Sequence, residues 1–415
     1  MITVKEALER ILKTIVPLGT EKTDILGALG RVIGEDIYAL RNIPPQNNSA
    51  MDGYALKSED VRDADAEHPV VLNIVEDIPA GYAPQKTVGH GEAARIMTGA
   101  PIPDGADAVV MVEETRSDGD SVRIYGGAEK SQHIRYAGED VHEGDLVIRA
   151  GTLLRPAEVG MLSALGRSFV QVYQRPRVAL IATGNELVDI DGAWLPGRIV
   201  SSNNYSLAAQ VIECGGIPLQ LGIAKDTKYD LAEKFKDAIR ADIIVSSAGV
   251  SVGDYDFVKE VMNDMSIGIE FWQVAQRPGK PMTFGTREGK PFFGLPGNPV
   301  SSMVAFEQYV RPAILRMTGH EHIFRRTIKA KLTEDIQKKK GLRYFLRARV
   351  KIQGKEFVVE TAGDQGSGIL KSMVLANGIM VLPEDTDFIK AGSDVLIQLL
   401  DNSYNFTKHP EYLND

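Results

Sequence analysis

A stretch beginning at Arg177, in which short apolar runs alternate with helical ones, limits the possible folds more than any other feature of this sequence. Val178–Ala182 reads as a strand, Tyr205–Glu213 as a helix closed by Gly215-Gly216, and Leu219–Ala224 as a strand. A helix at Tyr229–Arg240, strands at Ile243–Ser246 and Pro291–Leu295, and a helix from Val300 to about Arg316 continue the rhythm. Strands alternating with helices predict a mostly parallel sheet covered on both faces. Ligands of such sheets bind beyond the carboxyl ends of the strands.

The unusual loops fall at those ends. Val178–Ala182 runs into Thr183-Gly184-Asn185-Glu186, and Leu219–Ala224 into Lys225-Asp226. Ile243–Ser246 runs into a turn carrying Ser247, Ala248, Gly249, Ser251 and Gly253, and Phe292–Leu295 into Pro296-Gly297-Asn298-Pro299-Val300-Ser301. Each alone is an ordinary strand-to-helix turn, but four on one edge predict a pocket. Asn298 and Pro299 suit the cap and first turn of a helix. Gly297 lets backbone approach a ligand, and free N–H groups there favour an anion. Glu186 and Asp226 are carboxylates at strand ends, usable as acceptors for ribose hydroxyls or ring amides or as Mg²⁺ ligands, although capping or plain solvation would also account for them. Arg277-Pro278-Gly279-Lys280-Pro281 places two cations on a turn stiffened by two prolines, a way to aim positive charge at an oxyanion.

Elsewhere the chain changes character. Residues 3–16 have a helical period with Thr3 as N-cap, and Ile25–Tyr38 reads as a second helix. Ile43-Pro44-Pro45 then breaks the pattern, short alternating runs follow to about Gly138, and Pro156–Leu165 is helical again. The expected division is a split helical and β domain at 1–45 and 139–175, an inserted β-rich domain at 46–138, an α/β domain at 176–326, a small C-terminal β domain at 327–402, and a tail at 403–415. The fold class is therefore multidomain α/β plus β, with a three-layer α/β centre and a small barrel-like C-terminal unit.

With a formal charge of −9, overall electrostatics disfavour nonspecific nucleic-acid binding. The single cysteine, Cys214, excludes an intramolecular disulfide and a thiolate zinc cage, and reads as a small core residue. The seven histidines lack metal-ligand spacing, and a Walker A loop and a strand-linked dinucleotide fingerprint are both missing. The N-terminal segment does not read as a signal peptide, and nothing approaches the roughly 18 consecutive apolar residues of a membrane helix. A cytoplasmic setting is expected.

Nearly the whole chain resembles the molybdopterin molybdenumtransferases, the family of bacterial MoeA and the gephyrin E domain. The resemblance rests on Ser49-Ala50-Met51-Asp52-Gly53-Tyr54-Ala55, Arg95-Ile96-Met97-Thr98-Gly99-Ala100-Pro101, Gly105-Ala106-Asp107, Gly138-Glu139-Asp140, the four loops, the basic turn and Gly366-Ser367-Gly368. The first string is the most specific. This sequence has Arg277 where lysine is frequent and Ala248 where a second glycine is frequent; the first keeps the charge and the second weakens the loop match.

The resemblance implies a central domain of the molybdopterin-binding type in a four-domain, L-shaped subunit. It also implies a homodimer whose cleft lies between the α/β domain of one subunit and the β-rich domain of the other. The implied substrates are adenylylated molybdopterin and molybdate, with Mg²⁺ assisting and AMP released. Asp52, Thr98 and Asp140 would line the cleft from the insert, and Glu186, Asp226 and Asp256 from the α/β domain, with Asp226 and Asp256 as metal ligands. Thr183, Gly184, Ser247, Gly249, Ser251, Gly253, Pro296, Gly297, Asn298, Pro299 and Ser301 would hold the organic substrate. Arg277, Lys280, Arg347 and Ser367 would surround molybdate, a dianion that needs cations and hydroxyls. The molybdopterin adenylyltransferase and cofactor-accepting enzymes are implied partners. A tungstate-preferring insertase, an adenylyltransferase-like enzyme and a noncatalytic scaffold are the alternatives.

Overall fold

In the computed structural model, residues 1–193, 195–248, 257–354, 356–401 and 409–410 are described. They form two compact units, Met1–Glu21 with Gln171–Asp415, and Lys22–Val170.

The first unit is built on a six-stranded sheet. Its strand order is Ile217–Ala224, Arg177–Thr183, Ile243–Ser247, Lys290–Leu295, Pro281–Arg287, Gly268–Gln273. The first four are parallel, as their alternation with helices predicts, and the last two are added antiparallel. Successive side chains of a strand point to opposite faces, and Arg177–Thr183 is buried on both. Val178 and Leu180 pack with Leu207, Val211, Val304 and Ile314 on one side. Ala179 and Ile181 pack with Leu231, Phe235, Val261 and Met262 on the other. Burial on both faces explains the near-continuous apolar runs.

Helix Val4–Thr14 covers the first of these faces. Thr3 caps it in a reciprocal box, its Oγ1 accepting from Glu6 N at 3.1 Å while Thr3 N donates to Glu6 Oε2 at 2.8 Å. Its buried stripe, Val4, Ala7 and Ile11, joins the core of Val178 and Leu180.

Thr327–Leu332, Arg343–Gln353, Glu356–Thr361, Gly378–Leu382 and Asp394–Leu399 close into a five-stranded barrel, because Gly378–Leu382 pairs with both Asp394–Leu399 and Arg343–Gln353. Tyr344, Leu346, Ala348, Met380, Leu382 and Ile397 fill it. One further short strand, Gln276–Arg277, pairs in parallel with Arg343–Tyr344 and ties the basic turn to this barrel.

The second unit holds a six-stranded sheet in the order Ala108–Met111, Gly53–Leu56, Glu92–Ile96, Val70–Ile78, Ser121–Ile124, Thr115–Asp118. Tyr54 and Leu56 face one core, and Ala55 faces the other. A Cβ at Gly53 would lie 1.9 Å from the Val110 carbonyl oxygen, so glycine is demanded by the neighbouring backbone. Gly53→Ala is expected to destabilise the protein by about 1–3 kcal/mol or more. A thermal melt unchanged from wild type would refute that.

The expected helix at Ile25–Tyr38 is a correction. The segment is a series of turns leading to a two-residue strand, Ile37–Tyr38. Asp24 Oδ1 takes the N–H groups of Leu26 and Gly27 at 3.1 and 2.9 Å, Gly30 has φ +74°, and Val32 bridges to Leu153. Pairing with Leu146–Ile148, far along the chain, overrides the local apolar spacing. Among the described residues of this unit the α-helix is Pro156–Ala164.

Candidate active site

Beyond the carboxyl edge of the parallel strands lies a cleft of about 710 Å³. Thr183 ends one strand, Ser247 the next and Leu295–Pro296 a third, so the sheet itself brings these loops together. Of the residues expected from the loops, Thr183, Glu186, Ser247, Pro296, Gly297, Asn298, Pro299 and Ser301 line this cleft. So do Arg277, Lys280 and Ser367 of the expected oxyanion group.

Gly184 stands beside the cleft, where an added Cβ would lie 2.7 Å from the Glu186 carboxylate oxygens. A bare Cα there lets that carboxylate lie close. Asp226 is not in the cleft wall; its Oδ2 accepts from Asn185 N and its own N–H donates to Asn185 Oδ1, both at 3.1 Å. Gly249, Ser251, Gly253 and Asp256 lie outside the described residues. Ala248 has φ +74°, in the left-handed region where glycine would be unstrained.

Asn298 occupies the N-cap position of the helix starting at Pro299, but its side chain makes no cap bond. Its Nδ2 instead donates to Ser367 Oγ at 2.9 Å, and Val300 N donates to the Ser367 carbonyl at 3.1 Å. The helix start thus fixes the Ser367 loop. That use of the amide replaces the side-chain cap expected from sequence.

The Ser367 loop is held from behind by Arg347, which is fully buried. Arg347 Nε donates to Ser372 Oγ at 3.0 Å, and Nη2 donates to the carbonyls of Asp364 and Gly366 at 3.3 and 3.0 Å. Its Nη1 has no hydrogen-bond partner among the described residues. Burial lowers the Arg347 pKa to about 10, against the opposing attraction of Asp364, so it remains a cation at neutral pH. Arg347 lines not the main cleft but a neighbouring pocket of about 550 Å³, shared with Arg277, Pro278, Lys338, Tyr344 and Gln365. Arg277 borders both, its guanidinium 5.5 Å from the centre of the Tyr344 ring.

Sequence reasoning missed Ser201, Asn203, Gln276 and Gln365, all in the cleft wall. Thr183 Oγ1, Ser201 Oγ and Asn203 Oδ1 are buried without a hydrogen-bond partner among the described residues. Three orphaned polar atoms in one wall suit a polar ligand, since buried polar groups are otherwise paired. A signal did exist, because Ser201-Ser202-Asn203-Asn204 puts polar residues at a helix start directly after the short strand Ile199–Val200.

In the second unit, Asp52 and Thr98 are brought together: Asp52 Oδ1 accepts from both Thr98 N and Thr98 Oγ1 at 2.7 Å. Those bonds, the backbone one foremost, hold the Asp52 carboxyl below its ordinary pKa. Asp140 is exposed, and its N–H donates to the Ile43 carbonyl at 3.0 Å. Asp52 is likewise exposed.

Fold and cleft together define a multidomain α/β protein with a polar cleft and a basic turn at the edge of its parallel sheet. Residues 2–166 match the family model described as MoeA N-terminal region (domain I and II), 179–316 that of a probable molybdopterin binding domain, and 329–400 that of the MoeA C-terminal region (domain IV). A molybdopterin molybdenumtransferase of Nostoc sp. is 39% identical over 91% of this chain and 88% of its own length. One of Staphylococcus epidermidis is 34% identical over 97% and 96%. A crystal structure of a molybdopterin biosynthesis MoeA protein from Pyrococcus horikoshii aligns with TM-score 0.80 and 32% identity over 96% of this chain and 100% of that one. The chain belongs to the molybdopterin molybdenumtransferase family, the MoeA proteins.

Proposed function

We propose that this protein inserts molybdenum into molybdopterin, consuming adenylylated molybdopterin and molybdate and releasing AMP. The observation that carries this reading is the convergence, in one cleft, of the basic turn Arg277–Pro281 and Ser367 with the polar sheet-edge loops at Thr183, Ser247 and Pro296. A dianion is served by Arg277, Lys280 and the Ser367 hydroxyl. The extended organic substrate is served by the loops and by the hydroxyls of Thr183 and Ser201, which have no hydrogen-bond partner among the described residues.

Mg²⁺ fits this site as a substrate-borne ion. Such an ion would be held by one or two carboxylates together with phosphate oxygens of the substrate, and would supply neutralisation of phosphate charge. Glu186 lies in the cleft wall and Asp226 beside its loop, which supplies that number of donors; Asp256, the other expected ligand, lies outside the described residues. Among the described residues no group of three or more His, Cys, Asp or Glu could cage a metal.

In this reading the protein works as a homodimer, with Asp52, Thr98 and Asp140 of the partner chain completing the cleft. The finer division of the first region, an insert at 46–138 between flanking segments of 1–45 and 139–175, belongs to the same proposal. The same proposal makes it a cytoplasmic enzyme that exchanges cofactor with the adenylyltransferase and with acceptor enzymes; no described helix is long and apolar enough to cross a membrane. The product test is simple. Purified protein given adenylylated molybdopterin, Mg²⁺ and molybdate should release AMP. Pyrophosphate formation from ATP and free molybdopterin would instead assign it the adenylyltransferase reaction.

Asp52→Asn separates chemistry from folding. The amide oxygen can still accept from Thr98, so the melting temperature should hold, while activity should fall because the free carboxylate charge is gone. A lowered melting temperature with retained activity would make Asp52 structural. Mixing refolded Asp52→Asn and Lys280→Ala chains tests the shared cleft. If each site draws on two chains, half the dimers are mixed and one site in two is intact in them, so about a quarter of wild-type activity should return. No recovery would place both residues in one chain's site.

A further inference from the structure

We infer that Gln276 and Tyr309 form a positioning pair that sets the basic turn and so controls oxyanion affinity without either side chain contacting the ion; this rests on the reading of the turn as the molybdate site. Both residues are 0% exposed, so the Gln276 carboxamide and the Tyr309 hydroxyl are buried polar groups next to the turn. Gln276 Nε2 donates to the carbonyls of Pro278 and Gly279, both at 3.2 Å. Gln276 Oε1 accepts from the Tyr309 hydroxyl. Both amide hydrogens are therefore engaged within the protein, and none is left to offer an oxyanion.

The orientation of this amide is determined by its neighbours. Turned over, its oxygen would face two carbonyls and its NH₂ would face the tyrosine, losing two of the three bonds. Tyr309 must be the donor. Burial pushes its pKa upward, so the hydroxyl keeps its proton. The turn is shaped to accept the amide: Gly279 has φ +86°, and a Cβ there would sit 3.0 Å from Gln276 Nε2. Tyr309 lies in Phe306–Val310, where the helix from Pro299 widens to π-helical winding before continuing as Arg311–Met317. Such a widened turn re-aims side chains and is frequent near functional sites.

The turn has other anchors at its flanks. Val274 N donates to the Lys280 carbonyl at 3.0 Å, and the Arg277 guanidinium lies over the Tyr344 ring. Between those anchors, the bonds found to the Pro278 and Gly279 carbonyls come from Gln276. Loss of the amide would act twice. Arg277 and Lys280 would have to be ordered by the ion itself, which reduces affinity. The released carbonyls would also be free to turn toward a dianion and repel it.

The test is molybdate binding by equilibrium dialysis to the full chain, with turnover measured alongside. Tyr309→Phe removes one oxygen and keeps the ring packing. It should weaken molybdate binding roughly 3- to 10-fold, raising the molybdate KM while leaving kcat and the KM for adenylylated molybdopterin unchanged. Gln276→Glu keeps an acceptor for Tyr309 but sets a carboxylate against two carbonyls, and should weaken binding at least as much. Burial raises a carboxyl pKa, and a protonated carboxyl can donate again. The Gln276→Glu defect should therefore shrink as pH falls from about 8 to about 6, relative to wild type at each pH. A merely structural lesion would not recover in that way.

Lys280→Ala is the internal control. If it leaves molybdate binding unchanged, the turn is not the oxyanion site and the functional reading fails. If it weakens binding while Tyr309→Phe and Gln276→Glu bind as wild type does, the positioning pair is overturned and the functional reading stands. Should Gln276→Glu not fold, the result for Tyr309→Phe decides alone.

Discussion

Lys280→Ala is expected to weaken molybdate binding by roughly 10- to 150-fold. A charge-assisted hydrogen bond contributes roughly 1.5–3 kcal/mol, and about 1.4 kcal/mol is a decade in affinity. Lys280 sits in the cleft wall on a turn held by Gln276 and tied through Arg277 to the barrel strand, so a neighbouring cation cannot easily move into its place. Adenylylated molybdopterin should bind nearly as before, because its phosphates and pterin are assigned to the loops at Thr183, Ser247 and Pro296. Raising molybdate should recover part of the lost turnover. A variant with weakened nucleotide-pterin affinity and an unchanged molybdate dependence would assign the turn to the organic substrate instead.

Arg347→Ala should have the largest effect on folding. It strips the donor from Ser372 Oγ and from the carbonyls of Asp364 and Gly366 in a fully buried place. The cost should be on the order of 3–5 kcal/mol, read from denaturant midpoints. The loop it releases carries Ser367, which accepts from Asn298 Nδ2 at 2.9 Å, so oxyanion binding should fall with stability. Arg347→Lys keeps the charge without the planar fork and should recover only part of either property. The reverse pattern, wild-type stability with lost molybdate binding, would mean that Arg347 acts on the ion directly through Nη1.

How far the sequence could be read depended on the range of the interactions involved. The parallel strands were legible because each is an apolar run of strand length bounded by turn residues, and the helix at Val4 because its cap and stripe lie within its own residues. The sheet-edge loops were legible for a similar reason where local chemistry sets them, as Pro299 does in the first turn of its helix. The strand Pro281–Arg287 was hidden by the basic turn that runs into it, and Gly268–Gln273 is an edge strand defined by its partner. The barrel-like character of the C-terminal unit was expected, but the pairings that close it, of Gly378–Leu382 with two distant strands, were not. Asn298 illustrates the same limit within the site. Its residue type announced a cap, yet its amide bonds to Ser367, 69 positions away, which no local pattern encodes. Gln276 carried no signal at all, since its work is done on carbonyls of a turn whose shape only the folded chain defines.

The central claim is that molybdate and the adenylylated pterin react in one cleft, so oxyanion arrival and AMP departure should be a single event. Single-turnover mixing of the wild-type protein with adenylylated molybdopterin and Mg²⁺, with and without molybdate, measures it directly when AMP and molybdenum-loaded cofactor are quantified together. The expected result is AMP release that requires molybdate and matches the loaded cofactor mole for mole. AMP released equally well without the oxyanion, or cofactor loaded with no AMP formed, would contradict it.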